Sequence, residues 1–347
     1  MHRGGHRNGP REPAGDPPRP ALHDVNARHR PSGVALLLTG GVREALWAQP
    51  LIRALPGVTV FARSEAMRTL QGIPEVGRAF SFGSSAVDVW RTYRRLRAGP
   101  MSMSVVAAPS GARAALLAYF AGVPRRIGPA GPHDRWYSHG VKTARGIHPV
   151  DANREIALVA AGMTTPPPQA SQPPTIQSGV PATRRMQSLL AEAGVGSLRE
   201  TLVLIPGSGN WTPRAASAIW PEERFAVLAN QASANAVILA GGLGDDARVR
   251  ETRAGIGKPT TVIRLSELTV EEFAIVAGGS QAVVGHDGDA LHVAAASGAS
   301  VVALLRPHDV TPVGRSCASL TAEDLAGLPA QRVVSVLGER LKVDSDG

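Results

Sequence analysis

The stretch Val284-Gly285-His286-Asp287-Gly288-Asp289-Ala290-Leu291-His292-Val293-Ala294-Ala295-Ala296 decides the fold of this chain. It begins at the end of an apolar run, Ala282 to Val284, and continues into a polar turn with two carboxylates and two imidazoles. The small residues from Ala290 to Ser297 predict a helix directly after the turn. A strand, a turn and a helix start in this order direct unpaired backbone N–H groups and a positive dipole end towards the turn. The pattern therefore predicts an α/β unit that binds a phosphate or diphosphate here.

Short apolar strands alternate with helices in two series along the chain. The first series contains strands at Val34–Thr39 and Val58–Ala62, with a helix predicted at Glu44–Leu55 between them. The second series begins with a strand at Thr201–Ile205. Strands of this kind indicate parallel sheets that are covered on both faces. We therefore expect an α/β protein with two doubly wound, Rossmann-like domains facing a central cleft, in which ligands bind at the carboxyl ends of the strands.

Composition and patterning divide the chain into five segments. A helix that ends at Ala161, with Asp151 as its expected N-cap, closes the first series, and a Pro-rich stretch separates it from the second. The predicted segments are a disordered basic tail at 1–33, a first domain at 34–165, a Pro-rich linker at 166–182, a second domain at 183–330 and a C-terminal tail at 331–347.

The overall composition is that of a soluble protein with sizeable cores, at 43% hydrophobic and 19% charged residues. We interpret the net charge of +9 mainly as a solvated, arginine-rich surface, with attraction to phosphates or a membrane surface as the alternative. The single cysteine, Cys317, excludes an intramolecular disulfide and a cysteine metal cluster. The chain has no apolar run of the ~20 residues that span a bilayer, no signal core and few aromatic residues. We expect a cytoplasmic protein with no membrane span and no nucleic-acid partner.

The end of the first strand carries a candidate catalytic carboxylate. Gly40 and Gly41 permit close approach of the backbone, and Arg43 and Glu44 follow at the predicted helix start. Glu44 could accept a proton from a hydroxyl in the cleft, or could only complement the helix dipole.

Two strand ends in the second domain carry candidate ligand-binding groups. After the strand at 201–205, a loop of small residues with hydroxyl and amide donors is suited to bind phosphate oxygens. After the next strand, acidic residues follow a glycine turn, where such groups often bind ribose hydroxyls or cap the next helix. These residues are Gly207, Ser208, Gly209 and Asn210, with Arg214 as a possible cation, and then Gly242, Asp245 and Asp246.

The opening turn could also be read as a metal site. His286, Asp287, Asp289 and His292 offer oxygen and nitrogen ligands close together. If the strand continues, however, His286 and Asp287 point in opposite directions, and no further ligand cluster is present. We therefore favour an anion site without a metal, in which His292 contacts a phosphate oxygen or is a buried core histidine.

These motifs together resemble glycosyltransferase family 9, the ADP-heptose heptosyltransferases of the GT-B fold. The resemblance covers roughly 34–328. In that family an acidic residue precedes a proline by six positions, a Pro-Gly-Ala/Ser loop leads to Lys-x-Trp-Pro, and an Asp-Ser/Thr-Gly-x-x-His-Leu-Ala-Ala motif follows. The similar stretches here are Arg43 to Pro50, Pro206 to Gly209 with Ala218 to Pro221, Gly241 to Asp245, and Asp287 to Ala295.

The resemblance implies an inverting, metal-independent glycosyltransferase without a cofactor. Glu44 would be the catalytic base, with Gly40, Gly41 and Arg43 on the acceptor side. The second domain would bind the nucleotide sugar, most simply ADP-heptose, and the first would bind the acceptor: a glycan, the lipopolysaccharide core, or an aminoglycoside-type or nucleoside natural product. The implied donor-binding residues are Gly207, Ser208, Gly209, Asn210, Arg214, Gly242, Asp245, Asp246, Asp287, Gly288, Asp289 and His292.

Three residues depart from the family pattern. Glu44 follows Arg43 where the family has Gly-Asp, Ala218 replaces a phosphate-binding lysine, and Asp289 replaces a glycine beside the expected diphosphate. Alternatives are therefore another GT-B enzyme with a different nucleotide sugar, a sugar-nucleotide epimerase, or a catalytically silent homologue.

Overall fold

The computed structural model describes residues 33–70, 72–109, 112–211 and 219–345, with side chains up to residue 342. The predicted disordered tail at 1–33 lies outside these ranges except for Gly33. Within them, the chain forms two six-stranded sheets in which every strand pair is parallel. No helix in the described ranges is long and apolar enough to cross a membrane.

The first sheet has the strand order β3-β2-β1-β4-β5-β6. Its strands are β1 (Val34–Leu37), β2 (Val58–Ala62), β3 (Val76–Ser81), β4 (Met103–Val106), β5 (Arg125–Pro129) and β6 (His139–Val141). Its helices are α1 (Val42–Trp47), α2 (Gln49–Ala54), α3 (Ser64–Thr69), α4 (Ala86–Ala98), α5 (Ala112–Phe120) and α6 (Pro149–Ala161), with a 3₁₀ helix at Asp134–Trp136; α7 (Pro168–Ser171) lies in the linker.

The second sheet has the order β12-β11-β10-β7-β8-β9. Its strands are β7 (Thr201–Ile205), β8 (Ala236–Gly241), β9 (Thr260–Arg264), β10 (Ala282–His286), β11 (Ser300–Leu305) and β12 (Ser316–Thr321). Its helices are α8 (Val180–Glu192), α9 (Glu222–Gln231), α10 (Asp246–Ala254), α11 (Val270–Gly279), α12 (Asp289–Ala296) and α13 (Ala330–Ser345), with 3₁₀ helices at Leu198–Glu200, Leu265–Glu267 and Leu325–Gly327. The prediction of two doubly wound domains is confirmed.

The helix predicted at Glu44–Leu55 is in fact two helices, α1 and α2. Helix α1 ends at Trp47, whose carbonyl oxygen accepts a hydrogen bond from Asn153 Nδ2 at 3.0 Å. Pro50 has no N–H to donate, so it fits the first turn of a new helix better than the interior of a longer one. The predicted N-cap of α6 is also wrong, because His148 rather than Asp151 caps it, with Nδ1 accepting from the Val150 N–H at 3.1 Å.

Two predicted segment boundaries need correction. The sequence predicts a tail at 331–347, but most of these residues belong to α13, in which Val333 and Leu337 are buried against the second domain. Their four-residue spacing is that of one helix face. The Pro-rich linker predicted at 166–182 is shorter, because α8 already begins at Val180.

Helix α1 packs against the second domain as well as its own. Val42 and Leu46 are fully buried in the hydrophobic cluster that includes Leu291 of α12 and Phe273 of α11. The first helix of one domain therefore forms part of the core of the other.

Two consecutive residues of the linker are hydrogen-bonded to different domains. Arg53 of α2 donates to the carbonyl oxygen of Pro173 at 3.0 Å and to Thr175 Oγ1 at 2.8 Å. The next N–H, that of Ile176, donates to the carbonyl oxygen of Ala296 at the end of α12, at 3.1 Å. The linker up to Thr175 is thus fixed to the first domain, and Ile176 is fixed to the second.

His286 holds two loops of the second domain together. Its Nε2 accepts from the Trp220 N–H at 2.7 Å, so Nε2 carries no proton and Nδ1–H donates to the carbonyl oxygen of Gly207 at 3.2 Å. Its ring lies edge-on to Phe225, with ring centroids 5.4 Å apart. Burial lowers the pKa of His286 to about 4, which keeps the ring neutral.

We predict that the second domain loses stability as the pH falls from 6.5 to 4. In this window His286 becomes protonated in the unfolded chain but not in the folded chain. The unfolding free energy therefore falls by about 3 kcal/mol. His286→Gln should flatten the dependence of the unfolding free energy on pH, as measured by urea unfolding. The matched control is His308→Gln, which replaces an exposed histidine of the same domain. An equal slope for wild type and His286→Gln would contradict this assignment.

Candidate active site

Glu44 lies where sequence reasoning placed it, at the carboxyl end of β1. Its Oε2 accepts from the Gly41 N–H at 2.8 Å, and the side chain folds over the preceding turn. A Cβ atom on Gly40 would lie 2.4 Å from Glu44 Cδ, so only glycine leaves room for this conformation. Glu44 is half-buried, and Oε1 makes no hydrogen bond to the residues that the structure describes. One carboxylate oxygen is thus fixed and the other is available.

Arg43, next to Glu44, joins the two domains. Its Nη1 donates to Asp287 Oδ1 at 2.9 Å, and its guanidinium lies 4.9 Å from the ring centroid of Trp47. The two charged side chains are 5% and 14% exposed, so water screens the pair only weakly. The turn after β1 and the turn after β10 are therefore in direct contact.

His292 binds the same carboxylate oxygen as Arg43. Its Nε2 lies 3.1 Å from Asp287 Oδ1, and its ring lies edge-on to Trp47 at 5.3 Å. Burial raises the pKa of Asp287, but the His292 hydrogen bond and the Arg43 charge outweigh it and bring the pKa down to about 2. Burial lowers the pKa of His292 against the opposing effect of Asp287. At neutral pH Asp287 is ionised and a neutral His292 donates to it.

The loop after β7 is fixed by a buried carboxylate. Asp245 Oδ2 accepts from Ser208 Oγ at 3.2 Å, the Gly209 N–H at 3.2 Å and the Gly242 N–H at 2.8 Å. A Cβ on Gly207 would lie 2.0 Å from Asp245 Cγ, which explains why glycine occurs there. Asp245 is therefore the residue that joins the two candidate donor loops.

Asp246, the second acidic candidate, lies in a different environment. It is exposed, and its Oδ1 accepts from Arg264 Nε at 3.1 Å. Of the two acidic candidates, the structure therefore places only Asp245 against the loop after β7.

The start of α12 differs from the expected row of unused amide donors. The Asp289 N–H donates to Asn210 Oδ1 at 3.0 Å, and the Ala290 N–H donates to the carbonyl oxygen of Gly209 at 2.9 Å. A Cβ on Gly288 would lie 2.1 Å from the Ser208 carbonyl oxygen. The expectation of free donors is wrong for these two amides, because the loop after β7 packs directly onto the helix start.

Asp289, the residue that departs most from the family pattern, is buried and faces the first domain. Its Oδ2 lies 4.0 Å from the position that a Cβ on Gly41 would occupy, and Glu44 Oε2 lies 3.9 Å from the same point. The structure thus places carboxylates from both domains beside Gly41.

Sequence reasoning missed Trp47 and His148. A tryptophan in a helix is normally interpreted as core, yet Trp47 contacts Arg43, His292 and His148. His148 Nε2–H donates to the carbonyl oxygen of Thr311 at 2.9 Å, which is a second polar contact between the domains. Their partners are distant in sequence, so no local pattern indicates these contacts.

A cavity of about 250 Å³ lies between α3 and the start of α11. Its lining residues come from both domains: Ser64, Glu65, Arg68, Trp211, Leu268, Thr269 and Val270. The Trp211 ring is held by a hydrogen bond from Nε1 to the Leu268 carbonyl oxygen at 3.0 Å.

The described residues contain no group of three or more His, Cys, Asp or Glu side chains arranged to hold a metal ion. In the opening turn, His286 and Asp287 point to different partners, as expected if the strand continues. Two residues relevant to a phosphate site, Arg214 and Ala218, lie outside the described ranges.

Three solved structures share this architecture. The glycosyl transferase family 9 protein from Veillonella parvula has a TM-score of 0.75 and 14% identity, covering 89% of this chain and 97% of that one. The ADP-heptose lps heptosyltransferase II of E. coli has a TM-score of 0.73 and 22% identity, covering 90% and 99%. The E. coli heptosyltransferase WaaC with ADP has a TM-score of 0.67 and 17% identity, covering 88% and 99%. These similarities confirm the predicted GT-B fold.

The family itself is identified by sequence. No curated protein matches the chain. The sequence profile of glycosyltransferase family 9 (heptosyltransferase) matches residues 89–326, well over half of the chain. This protein therefore belongs to glycosyltransferase family 9 and is a glycosyltransferase.

Proposed function

We propose that the protein is an inverting, metal-independent glycosyltransferase that moves heptose from ADP-heptose to an acceptor hydroxyl of a glycan or natural product. The observation that carries the proposal is the position of Glu44. It lies at the cleft on the first domain, and its neighbour Arg43 bonds to the turn after β10, on the donor side. The two similar E. coli proteins are named as an ADP-heptose heptosyltransferase and as an enzyme with ADP.

Glu44 acts as the base in this proposal. Gly41 holds Oε2, so Oε1 accepts the proton of the acceptor hydroxyl as its oxygen attacks the anomeric carbon. The bond from the anomeric carbon to the diphosphate breaks as the new glycosidic bond forms, and ADP leaves. Attack from the face opposite the leaving group inverts the anomeric configuration.

The second domain holds the donor. The loop Gly207–Asn210 approaches the diphosphate, and Asn210 is suited to donate to it because Oδ1 binds Asp289 while Nδ2 has no partner among the described residues. Asp245 uses Oδ2 to fix this loop, which leaves Oδ1 as the better candidate for a ribose hydroxyl than the exposed Asp246. Preorganised donors of this kind stabilise the charge that develops on the leaving group.

The remaining donor-side assignments concern Gly242, Gly288 and His292. The two glycines allow the close approach of the loops around the diphosphate, and His292 positions Asp287 rather than contacting phosphate in the present arrangement. No cofactor takes part, and the nucleotide sugar is a substrate. The acceptor is a lipopolysaccharide core or an aminoglycoside-type or nucleoside natural product.

We expect ADP to raise the melting temperature of the protein more than UDP or GDP does. We also expect the protein to release ADP from ADP-heptose when a panel of lipopolysaccharide core, aminoglycoside and nucleoside acceptors is supplied. EDTA should leave this turnover unchanged. Preferential stabilisation by UDP would contradict the heptosyl assignment and favour a different nucleotide sugar or an epimerase. Loss of activity in EDTA would contradict metal independence.

Glu44→Gln should lower kcat by about 10²- to 10⁴-fold, because it removes the proton acceptor but keeps the shape of the side chain. Its affinity for ADP, measured by calorimetry, should stay within about twofold of wild type. The matched control is Glu75→Gln, a half-buried glutamate just before β3, at the opposite edge of the same sheet. Unchanged turnover in Glu44→Gln would show that another group is the base.

Removing one partner of the buried Arg43–Asp287 pair should cost about 3 kcal/mol of unfolding free energy, because the other charge stays buried without its counter-ion. Arg43→Gln and Asp287→Asn should each show this loss in urea unfolding. The double variant should be more stable than the sum of the single effects predicts. Strict additivity would show that the two side chains do not stabilise each other.

A further inference from the structure

Exposed aromatic side chains are concentrated on one face of the first domain. The whole chain has only five tryptophans, three tyrosines and six phenylalanines. Trp90 of α4 is 59% exposed, and Tyr119 and Phe120 at the end of α5 are 43% and 62% exposed. Burial of large aromatic side chains normally stabilises a fold, so several exposed ones on the same part of the surface indicate a binding surface.

These rings form two groups on neighbouring helices. Trp90 stacks on Tyr93 with ring centroids 5.3 Å apart, and Tyr119 lies 5.1 Å from Trp136 of the 3₁₀ helix and 5.6 Å from Phe120. We call the outer face of α4, α5 and the 3₁₀ helix at Asp134–Trp136 the aromatic face.

The aromatic face lies on the side of the first sheet away from α2 and α6. Leu96 of α4 and Leu117 of α5 pack with Leu37 of β1 in one hydrophobic cluster, whereas Ile52 of α2 and Ile156 of α6 pack in the other. The linker is bound by α2, so it does not cover the aromatic face.

The part of the chain that contains these elements carries a large share of the net charge. Residues 86–136 contain eight arginines and two aspartates, with no lysine or glutamate, a net charge of +6 out of the chain's +9. Arg91 and Arg94 of α4 are exposed, and the Arg126 and Arg135 guanidinium groups lie 5.3 Å and 4.8 Å from the ring centroids of Tyr119 and Trp136. Two-thirds of the chain's net charge therefore comes from this segment, and four of its arginines lie beside the exposed rings or on the same helices.

We propose that the aromatic face docks on the surface of a lipid bilayer that contains anionic phospholipids. Tryptophan and tyrosine rings favour the headgroup region, where one end is apolar and the other is wet, and arginines are attracted to anionic headgroups. A surface helix with a basic side and exposed apolar residues, as in α4 with Val87 and Trp90, is suited to lie in that interface. Nucleic acid fits less well, because Trp90 and Tyr93 already stack on each other instead of offering free faces to bases.

The test is co-sedimentation of the full-length protein with vesicles of phosphatidylcholine alone and with 30% phosphatidylglycerol, in 0.1 M NaCl. We expect binding only to the anionic vesicles. Arg91→Gln/Arg94→Gln should weaken it by about thirtyfold, at about 1 kcal/mol per arginine. Trp90→Ala/Phe120→Ala should weaken it by at least tenfold.

Matched controls come from the second domain. Arg250→Gln/Arg253→Gln changes two exposed arginines with the same spacing on α10, and Val180→Ala changes a residue that is 64% exposed on α8. Neither should affect binding to vesicles, and circular dichroism should show that all variants fold.

The proposal would be overturned by equal binding to neutral and anionic vesicles, or by unchanged binding in both aromatic-face variants. It would also be overturned if the wild type did not bind vesicles but self-associated, and Trp90→Ala/Phe120→Ala converted it to monomer. A DNA duplex that competes fully with vesicles and binds the aromatic variant normally would assign the surface to nucleic acid. Vesicle binding is measured without any sugar donor, so its outcome is independent of the proposed transfer reaction.

Discussion

The buried ion pair between Arg43 and Asp287 is the contact on which the arrangement of the site depends. It joins the residue next to Glu44 to the turn after β10, and the neutral His292 supports it from the second domain. Charges removed from water are stable only when each is paired and hydrogen-bonded, so this contact requires both domains to be present in one relative position. The site is thus assembled by electrostatics across the cleft, while Val42 and Leu46 supply the apolar part of the same contact.

Much of the fold could be predicted from the sequence, because strands and glycine turns leave local patterns. The strands at Val58–Ala62 and Thr201–Ile205 have the predicted bounds, and the predicted turn after β10 opens into α12 within one residue of the expected start. Gly40 and Gly207 occur where a carboxylate side chain lies against the backbone and leaves no room for a Cβ atom. The glycines in the sequence therefore already indicate these close contacts.

The rest depends on partners that are distant along the chain. Nothing near Asp289 in sequence indicates that Asn210 would take its N–H, and nothing near His286 indicates that Trp220 would donate to it. The overall composition also did not predict the cluster of basic and aromatic residues on α4 and α5, because the 4% aromatic content is an average over the chain. Folding, rather than composition, places the exposed Trp90 and Phe120 on two helices that pack on the same side of the first sheet.

The linker between the domains is long, but only a short part of it is free to rotate. Arg53 binds the carbonyl oxygen of Pro173 and the hydroxyl of Thr175 in this Pro-rich segment. The next residue, Ile176, already donates its N–H to the end of α12. Rotation of one domain against the other is therefore concentrated at the few backbone dihedrals around the Thr175–Ile176 peptide. Since Val42 and Leu46 cross to the second domain on the other side of the cleft, such a rotation would have to carry α1 with it or separate it from its own sheet.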